Sequence, residues 1–177
     1  NEETILIISS QLPVGSTELI AKEYMSLFKK KLNICYIPEN LRLGNALKVF
    51  LEPDRFVIGC DSNYVKKRIN LILQKITKNV IWISPQSAEM AKHAINSFLA
   101  TSVVFANEIA TICENVKADA KEVELALKSD FRIGEYAYLS PGGPYAGGTL
   151  ARDVNYLNNL SSTHLLKNYL LNSITKS

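Results

Sequence analysis

Short apolar runs and amphipathic segments alternate over the first half of the chain. The runs are rich in Ile and Val and end at turn-forming residues, which is typical of buried β-strands. They cover residues 5–9, 33–37, 55–59 and 80–84. Between them, residues 18–30 and 64–76 carry apolar positions at helical spacing. Strands that alternate with helices predict an α/β layer with a largely parallel sheet.

The pattern changes after residue 85. Residues 86–116 contain neither Gly nor Pro, and their apolar positions recur at helical spacing. They predict a helix of about 30 residues, roughly 45 Å long. Its broad apolar coverage indicates that both sides contact protein, and a second subunit is a natural candidate. Further helices are predicted at 120–127, 151–160 and 163–171. The predicted fold class is α/β followed by all-α, divided into residues 1–85 and 86–177.

Composition and charge exclude several function classes. The chain has 177 residues, 21% of them charged, and a formal net charge of +3. Its Lys and Arg residues are dispersed, so no nucleic-acid partner is expected. No signal peptide and no run of about 18 apolar residues is present, so we expect neither secretion nor membrane spanning.

The cysteines indicate the compartment. Cys35, Cys60 and Cys113 have no CxxC spacing, so neither a disulfide framework nor a metal site is predicted. Dispersed thiols suit a reducing environment, which favours a cytoplasmic protein. The chain opens almost directly on an apolar strand, and we therefore expect it to be part of a longer protein.

Two side chains on the long helix could act on one substrate. Lys92 and Asn96 stand at i and i+4, which places an ammonium and an amide on one helical face, where they can converge on one substrate oxygen. The alternative is an ordinary solvated face. His93 is turned about 100° from Lys92 and is predicted to lie at the surface or an interface.

Two loop positions in the α/β half could contribute to catalysis or ligand binding. Glu39 follows a predicted strand, where a carboxylate can act as a base or orient water; the alternative is a loop carboxylate bound to nearby backbone N–H groups. The turn at 10–16, which includes Gln11, leads into a helix and could face a ligand, or could be an ordinary connection. The sequence has no GxGxxG loop, so a dinucleotide site would need residues outside this chain.

A glycine-rich segment precedes the helix predicted at 151–160. Its glycines, which let the backbone approach a ligand closely, are Gly142, Gly143, Gly147 and Gly148. Asp153 could position or activate water, or could be a helix N-terminal carboxylate favoured by the dipole. Arg132 could contact a phosphate or sugar, or could pair with Asp130 at a helix end.

Five segments, taken in order, resemble signatures of the UDP-glucose/GDP-mannose dehydrogenase family. They are Pro-Glu-Asn-Leu-Arg-Leu-Gly at 38–44, Pro-Asp-Arg-Phe-Val-Ile-Gly at 53–59, Lys-x-x-x-Asn at 92–96, Asp-Phe-Arg-Ile-Gly at 130–134 and Gly-Gly-Thr-Leu-Ala-Arg-Asp at 147–153. Each is weak alone, but the ordered set is specific. The resemblance implies the C-terminal part of a Rossmann-like NAD-binding domain, joined by the long helix to a helical dimerisation domain.

The resemblance also implies residue roles. Family members oxidise a sugar CH2OH group to a carboxylate in two hydride transfers to NAD. Catalytic roles are implied for Glu39, Lys92, Asn96 and Asp153. Contacts with the nucleotide sugar are implied for Arg132, Gly147, Gly148 and Thr149. Contacts with the cofactor are implied for Gln11 and Arg152. The implied partners are a UDP- or GDP-linked sugar and a second copy of the chain, bound through the long helix.

The chain departs from this family at the nucleophile. Family members capture the intermediate aldehyde on a cysteine thiolate, whereas here Thr149 and Leu150 follow the Gly-Gly pair and Asp153 arrives one residue early. Leu43 replaces a second glutamate, and Gln11 stands where threonine is common. We therefore expect nucleotide-sugar binding with one alcohol-to-aldehyde oxidation, or oxidation of an aldehyde hydrate without a covalent adduct.

Two other functions stay open. One is a sugar-nucleotide-binding or dimerisation protein that has lost turnover. The other is a β-hydroxyacid dehydrogenase, whose family also carries a Lys-x-x-x-Asn helix after a Rossmann half, although the segments at 38–44 and 53–59 argue against it. A role in supplying polysaccharide or glycoconjugate precursors is what the resemblance implies.

Overall fold

The fold was obtained as a computed structural model, which describes residues 3–39, 44, 46–145 and 148–176. The chain divides into two compact units, Asn1–Lys92 and His93–Ser177. The first contains strands and helices, and the second contains helices, so the predicted fold class is confirmed. The predicted domain division at residues 85 and 86 stays a prediction.

The first unit has the alternating order that the apolar runs predicted. Its strands are β1 (Ile5–Ile8), β2 (Asn33–Tyr36), β3 (Phe56–Gly59) and β4 (Val80–Ile83). Its helices are α1 (Ser16–Phe28), the short α2 (Ala46–Leu51), α3 (Asn63–Leu73) and the beginning of α4 (Pro85–Val116). Helix α2 was not predicted from the sequence.

The sheet is mixed, with the order β1-β2-β3-β4 in the described residues. β1 runs parallel to β2, with Ile5 opposite Asn33, and β3 runs parallel to β4, with Phe56 opposite Val80. β2 and β3 are antiparallel and share the pair Tyr36 and Gly59. Each parallel pair has the arrangement expected of a largely parallel sheet, and the antiparallel step joins the two pairs.

The core of the first unit lies between β2, β3 and α3. It consists of Cys35, Ile58, Cys60, Val65, Ile69 and Leu73. Ser62 begins α3, because its hydroxyl accepts a hydrogen bond from the backbone N–H of Val65 at 3.4 Å. Gly59 is required for close packing: a Cβ at this position would lie 2.7 Å from the Cα of Pro85. The start of α4 therefore packs directly on the end of β3.

The second unit contains the remainder of α4, followed by α5 (Ala120–Ser129), α6 (Leu150–Thr163) and α7 (Tyr169–Ile174). Asp119 caps α5 by accepting a hydrogen bond from the Lys121 N–H at 2.7 Å. A small apolar core is formed by Ala100, Val104, Val154 and Ile174. The helix predicted at 163–171 is wrong in its bounds: α6 ends at Thr163, Leu165 has a left-handed φ of 55° that breaks the helix, and α7 starts at Tyr169.

Candidate functional site

One buried polar row runs along α4. Glu89, His93 and Asn96 are 0%, 4% and 5% exposed, and they follow the same helical spacing as the core residues Ala100 and Val104. Charged and polar groups at core positions need partners inside the protein. Each of the three has one, and these partners define two separate arrangements, one in each unit.

In the first unit, the carboxylate of Glu89 binds the beginning of α1. Its Oε2 accepts a hydrogen bond from the Gly15 N–H at 2.6 Å. Its Oε1 accepts from the backbone N–H and the hydroxyl of Thr17 at 2.8 and 2.6 Å. Gly15 has a φ of 93°, which a residue with a side chain rarely adopts. The first N–H groups of α1 are therefore bound by an internal anion.

In the second unit, Asp153 is the centre of a buried cluster. It lies in the first turn of α6, its side chain is fully buried, and both of its oxygens accept hydrogen bonds from α4. The His93 Nδ1 lies 3.0 Å from Oδ1, and the Asn96 amide nitrogen donates to Oδ2 at 2.5 Å. The dipole at the start of α6 adds stabilisation of this carboxylate.

Two further residues of α6 surround the cluster. The ring of Tyr156 stacks on the ring of His93, with centroids 4.1 Å apart and planes 26° from parallel. The Arg152 Nε lies 3.9 Å from Oδ1 of Asp153, and the Arg152 side chain is 58% exposed. Arg152 is thus a peripheral cation, whereas His93 is the close donor.

This geometry defines where a proton sits. A carboxylate oxygen accepts hydrogen bonds, so the His93 Nδ1 facing Asp153 carries a hydrogen, in either the neutral Nδ1–H tautomer or the imidazolium. For the same reason, the Asn96 amide faces Oδ2 with its nitrogen and not with its oxygen. The cluster can therefore orient an imidazole and an amide from one fixed carboxylate.

Two of the predicted catalytic residues, Asn96 and Asp153, are in direct contact. Lys92 is half-buried on α4, and Glu39 is exposed beyond the end of β2. The convergence of Lys92 and Asn96 on one substrate oxygen, and the role of Glu39 as a base, stay predictions. The prediction that His93 lies at the surface or an interface is wrong, because its ring is buried against Asp153 and Tyr156.

Arg132 pairs with Asp130, which is one of the two arrangements predicted from the sequence. Its Nε and Nη2 donate to the two carboxylate oxygens of Asp130 at 3.0 and 2.6 Å. These bonds, together with one from the Arg132 backbone, hold the pKa of Asp130 below its ordinary value. The Arg132 side chain is still 76% exposed, so the predicted contact with phosphate or sugar stays a prediction.

The remaining predicted ligand contacts lie in loops. Gln11 is half-buried between β1 and α1, and Gly148 and Thr149 are exposed just before α6. Gly147 lies outside the described residues. The glycine-rich segment is held from α4, because the Asn107 side chain accepts from the Gly142 N–H at 2.9 Å and donates to the Gly143 carbonyl at 3.3 Å.

Two of the three thiols of this chain, Cys35 and Cys60, are poor nucleophiles. Cys35, Cys60 and Cys113 are free and buried. Burial raises the pKa of the Cys35 thiol to about 12 and also raises that of Cys60. Since the thiolate is the reactive form, these groups do not replace a missing loop cysteine.

Among the described residues, no group of three His, Cys, Asp or Glu side chains is arranged to hold a metal ion. Helix α4 is long and apolar enough to cross a membrane by length and composition. It also carries the buried Glu89, His93 and Asn96, whose partners lie within the protein. The expected absence of a membrane partner stays a prediction.

Several residues of the site were missed by sequence reasoning. Glu89, Asn107 and Tyr156 were not singled out, and His93 was misplaced. A signal for two of them exists: Glu89 and His93 fall on the helical stripe that continues to Ala100 and Val104. A polar residue on an apolar stripe indicates a buried partner. No local signal identifies Tyr156 as the ring that stacks on His93.

Comparisons with known proteins agree on one family. The description of its central domain, "UDP-glucose/GDP-mannose dehydrogenase family, central domain", matches residues 86–177. The description of its NAD-binding domain matches residues 1–77. This family therefore binds NAD, as predicted.

Individual relatives carry the corresponding names. The UDP-glucose 6-dehydrogenase of Rickettsia bellii is 32% identical over 180 residues, covering 100% of this chain and 41% of the relative. A UDP-glucose dehydrogenase from the hyperthermophilic archaeon Pyrobaculum islandicum matches in structure with a TM-score of 0.90 and 27% identity, over 97% of this chain and 40% of that one.

A second solved structure is named for a GDP-linked sugar instead of a UDP-linked one. The GDP-mannose dehydrogenase of Pseudomonas aeruginosa, solved as a ternary complex, matches with a TM-score of 0.67 and 25% identity, over 97% of this chain and 41% of that one. The chain therefore spans about two fifths of the length of these relatives.

Proposed function

Because the chain belongs to the UDP-glucose/GDP-mannose dehydrogenase family, as its motifs predicted, we propose that it is part of a NAD-dependent nucleotide-sugar dehydrogenase homologue. The full-length protein oxidises the CH2OH group of a UDP- or GDP-linked sugar. The names of its relatives, which act on UDP-glucose or GDP-mannose by their titles, support this substrate class.

One observation carries the proposal: the Asn96 amide donates to the Asp153 carboxylate. Both residues were selected as catalytic from short motifs, 57 positions apart in the chain. Their direct contact supports a site built by α4 and the start of α6. A pair selected from unrelated surface motifs would have no reason to meet in a buried position.

The chemistry of this site is altered relative to the thiol mechanism. Thr149 and Leu150 stand where the family pattern has its cysteine, and a Thr hydroxyl is far less ionised at neutral pH than a thiol. The high pKa of the buried Cys35 and Cys60 supports the same conclusion. We infer that the protein stops at the aldehyde, or oxidises the aldehyde hydrate without an enzyme adduct.

NAD, when bound, supplies the acceptor for the hydride that leaves the sugar carbon. The beginning of α1 does not fit the role of its pyrophosphate site, because the N–H groups of Gly15 and Thr17 are bound by Glu89. The pyrophosphate is therefore held by other residues. Gln11 and Arg152 remain the proposed cofactor contacts of this chain.

A homodimer through α4 is the proposed assembly. Phe98, Phe105 and Ile112 follow one another at a spacing of seven residues and are 70%, 44% and 55% exposed. An apolar row at this spacing is the pattern that a second helix covers. Replacing Phe105 by Glu would lower the oligomeric state measured by sedimentation, whereas a mutant that sediments unchanged would contradict the proposal.

The compartment is proposed from the thiols. Free, buried Cys35, Cys60 and Cys113 match a reducing environment, in which such residues pack as small apolar groups. We infer a cytoplasmic protein, where nucleotide sugars and NAD would both be accessible to it. Fractionation of the expressed full-length protein tests this location.

The decisive experiment measures NADH formation by the full-length protein with a panel of UDP- and GDP-sugars. We expect absorbance at the NADH band with at least one sugar, and an aldehyde that a hydrazine reagent traps. Tight sugar-nucleotide binding without NADH would instead favour a binding protein that has lost turnover. A uronate formed through a trapped thioester would contradict the altered chemistry.

A further inference from the structure

His93 is the member of the Asp153 cluster to which the family resemblance gives no role. Its Nδ1 lies 3.0 Å from Oδ1 of that carboxylate, and the Asn96 amide nitrogen donates to Oδ2. His93 and Asn96 lie about one turn apart on α4, so one helix supplies a donor to each oxygen of Asp153.

The two donors act on the carboxylate together. A fully buried carboxylate needs hydrogen-bond donors on its oxygens, because their desolvation is otherwise uncompensated. Two donors to two different oxygens also fix the rotation of the carboxylate plane. With the plane fixed, Oδ2 holds the nitrogen of the Asn96 amide and thereby sets the direction of the amide oxygen.

We propose that His93 is a positioning residue of the dehydrogenase site: its Nδ1–H holds the Asp153 carboxylate in the orientation that fixes the amide of Asn96. This inference rests on the proposed function, because Asn96 and Asp153 are proposed to serve the oxidation. His93 acts through Asp153, and its ring stacks on the ring of Tyr156.

Loss of the His93 donor would change the partner of Oδ1. A cation near this oxygen is Arg152, whose Nε lies 3.9 Å from Oδ1. Its guanidinium is exposed and attached to the same helix as Asp153. Without His93, the carboxylate would rotate towards Arg152 or accept a water molecule, and the Asn96 amide would lose its fixed orientation.

Three substitutions in the full-length protein separate positioning from packing. In His93→Asn, the amide nitrogen can occupy the place of Nδ1 and donate to Asp153. In His93→Gln, the longer side chain carries its amide to the place of Nε2. In His93→Phe, the ring can still stack on Tyr156 but has no donor. The matched control is His164→Asn, at the exposed end of α6.

The kinetic expectation is a loss in kcat that the Asn variant avoids. A small misplacement of a catalytic group costs on the order of 100-fold in rate, so His93→Phe and His93→Gln should lose about 100-fold in kcat, with the KM for the sugar nucleotide nearly unchanged. His93→Asn should stay within roughly threefold of the native enzyme. An Asn variant as impaired as the Phe variant would overturn the proposal.

A second readout does not require turnover. In protein labelled with 15N-histidine, His93 should carry hydrogen on Nδ1, and its signal should move in Asp153→Ala but not in His164→Asn. A ring protonated on Nε2 alone would overturn the inference whatever the activity. If the native protein forms no NADH with any sugar, the proposed function fails, while this spectrum and the unfolding midpoints of the His93 variants still decide whether His93 holds Asp153.

Discussion

The carboxylate of Glu89 accepts two hydrogen bonds from a single residue, Thr17, one from its backbone N–H and one from its hydroxyl. Glu89 lies on the first turns of α4, and Thr17 lies at the start of α1. The pair joins the helix that begins the second half of the chain to the first helix of the sheet unit. The N–H groups at the start of α1, which could have bound a ligand, are instead bound by Glu89.

Removing the Glu89 carboxylate should destabilise the first unit. Glu89→Ala leaves the Gly15 N–H and both donors of Thr17 without their acceptor, and we expect a loss of about 3 kcal/mol in the free energy of unfolding. Urea denaturation followed by circular dichroism measures the change.

Thr17→Val is the matched control for Glu89. It removes the hydroxyl donor and leaves the backbone donors with Glu89, so its expected cost is smaller, about 1 kcal/mol. Equal losses for the two variants would show that the carboxylate does not satisfy the α1 backbone.

Gly59 should tolerate no side chain. A Cβ would lie 2.7 Å from the Cα of Pro85 and 2.8 Å from the Cβ of Ala88, so Gly59→Ala forces β3 and α4 apart. We expect a loss of about 1–3 kcal/mol in stability, measured by thermal or urea unfolding. Gly142→Ala is the control, because a Cβ there meets no atom within 4 Å; a change larger than about 0.5 kcal/mol in that variant would contradict the packing argument.

The Asp130–Arg132 pair predicts that the pKa of Asp130 depends on the Arg132 side chain. Hydrogen bonds from the Arg132 side chain, and then from its backbone, lower the pKa of Asp130 from 3.8. A depressed pKa means that ionised Asp130 stabilises the fold above its unfolded pKa, and that this contribution is lost as the pH falls through the lower folded value. In Arg132→Ala, the Asp130 pKa should rise, as seen by carboxyl-carbon NMR. The pair is exposed, so added salt should reduce the difference.

The thiols should be inert in the folded protein. Burial raises the pKa of Cys35 to about 12, so almost none of it is thiolate at neutral pH, and a disulfide reagent such as Ellman's should react with it only after unfolding. The same is expected of Cys60, whose pKa burial also raises. Rapid modification of either thiol in native protein would contradict this expectation and would mean that a thiol of this chain could capture the aldehyde covalently.

Local sequence patterns were sufficient for much of the fold and for part of the site. The apolar runs identified all four strands of the described sheet, and the absence of Gly and Pro from residues 86–116 identified α4. Motif spacing selected Asn96 and Asp153. The antiparallel step at Tyr36 and Gly59 could not be predicted, because strand direction depends on how the chain returns to the sheet, not on the composition of either strand.

By itself, the sequence determined the four strands and most of the helices, which family the chain resembles, and that the loop before α6 lacks a thiol. Only the tertiary structure decided that Glu89 binds the start of α1, that His93 is buried, and that Asp153 is shared by two donors on α4. Those contacts join residues 72, 60 and 57 positions apart. Helical periodicity reports which residues share a face, but the element that covers the face is chosen by the packing of the whole unit.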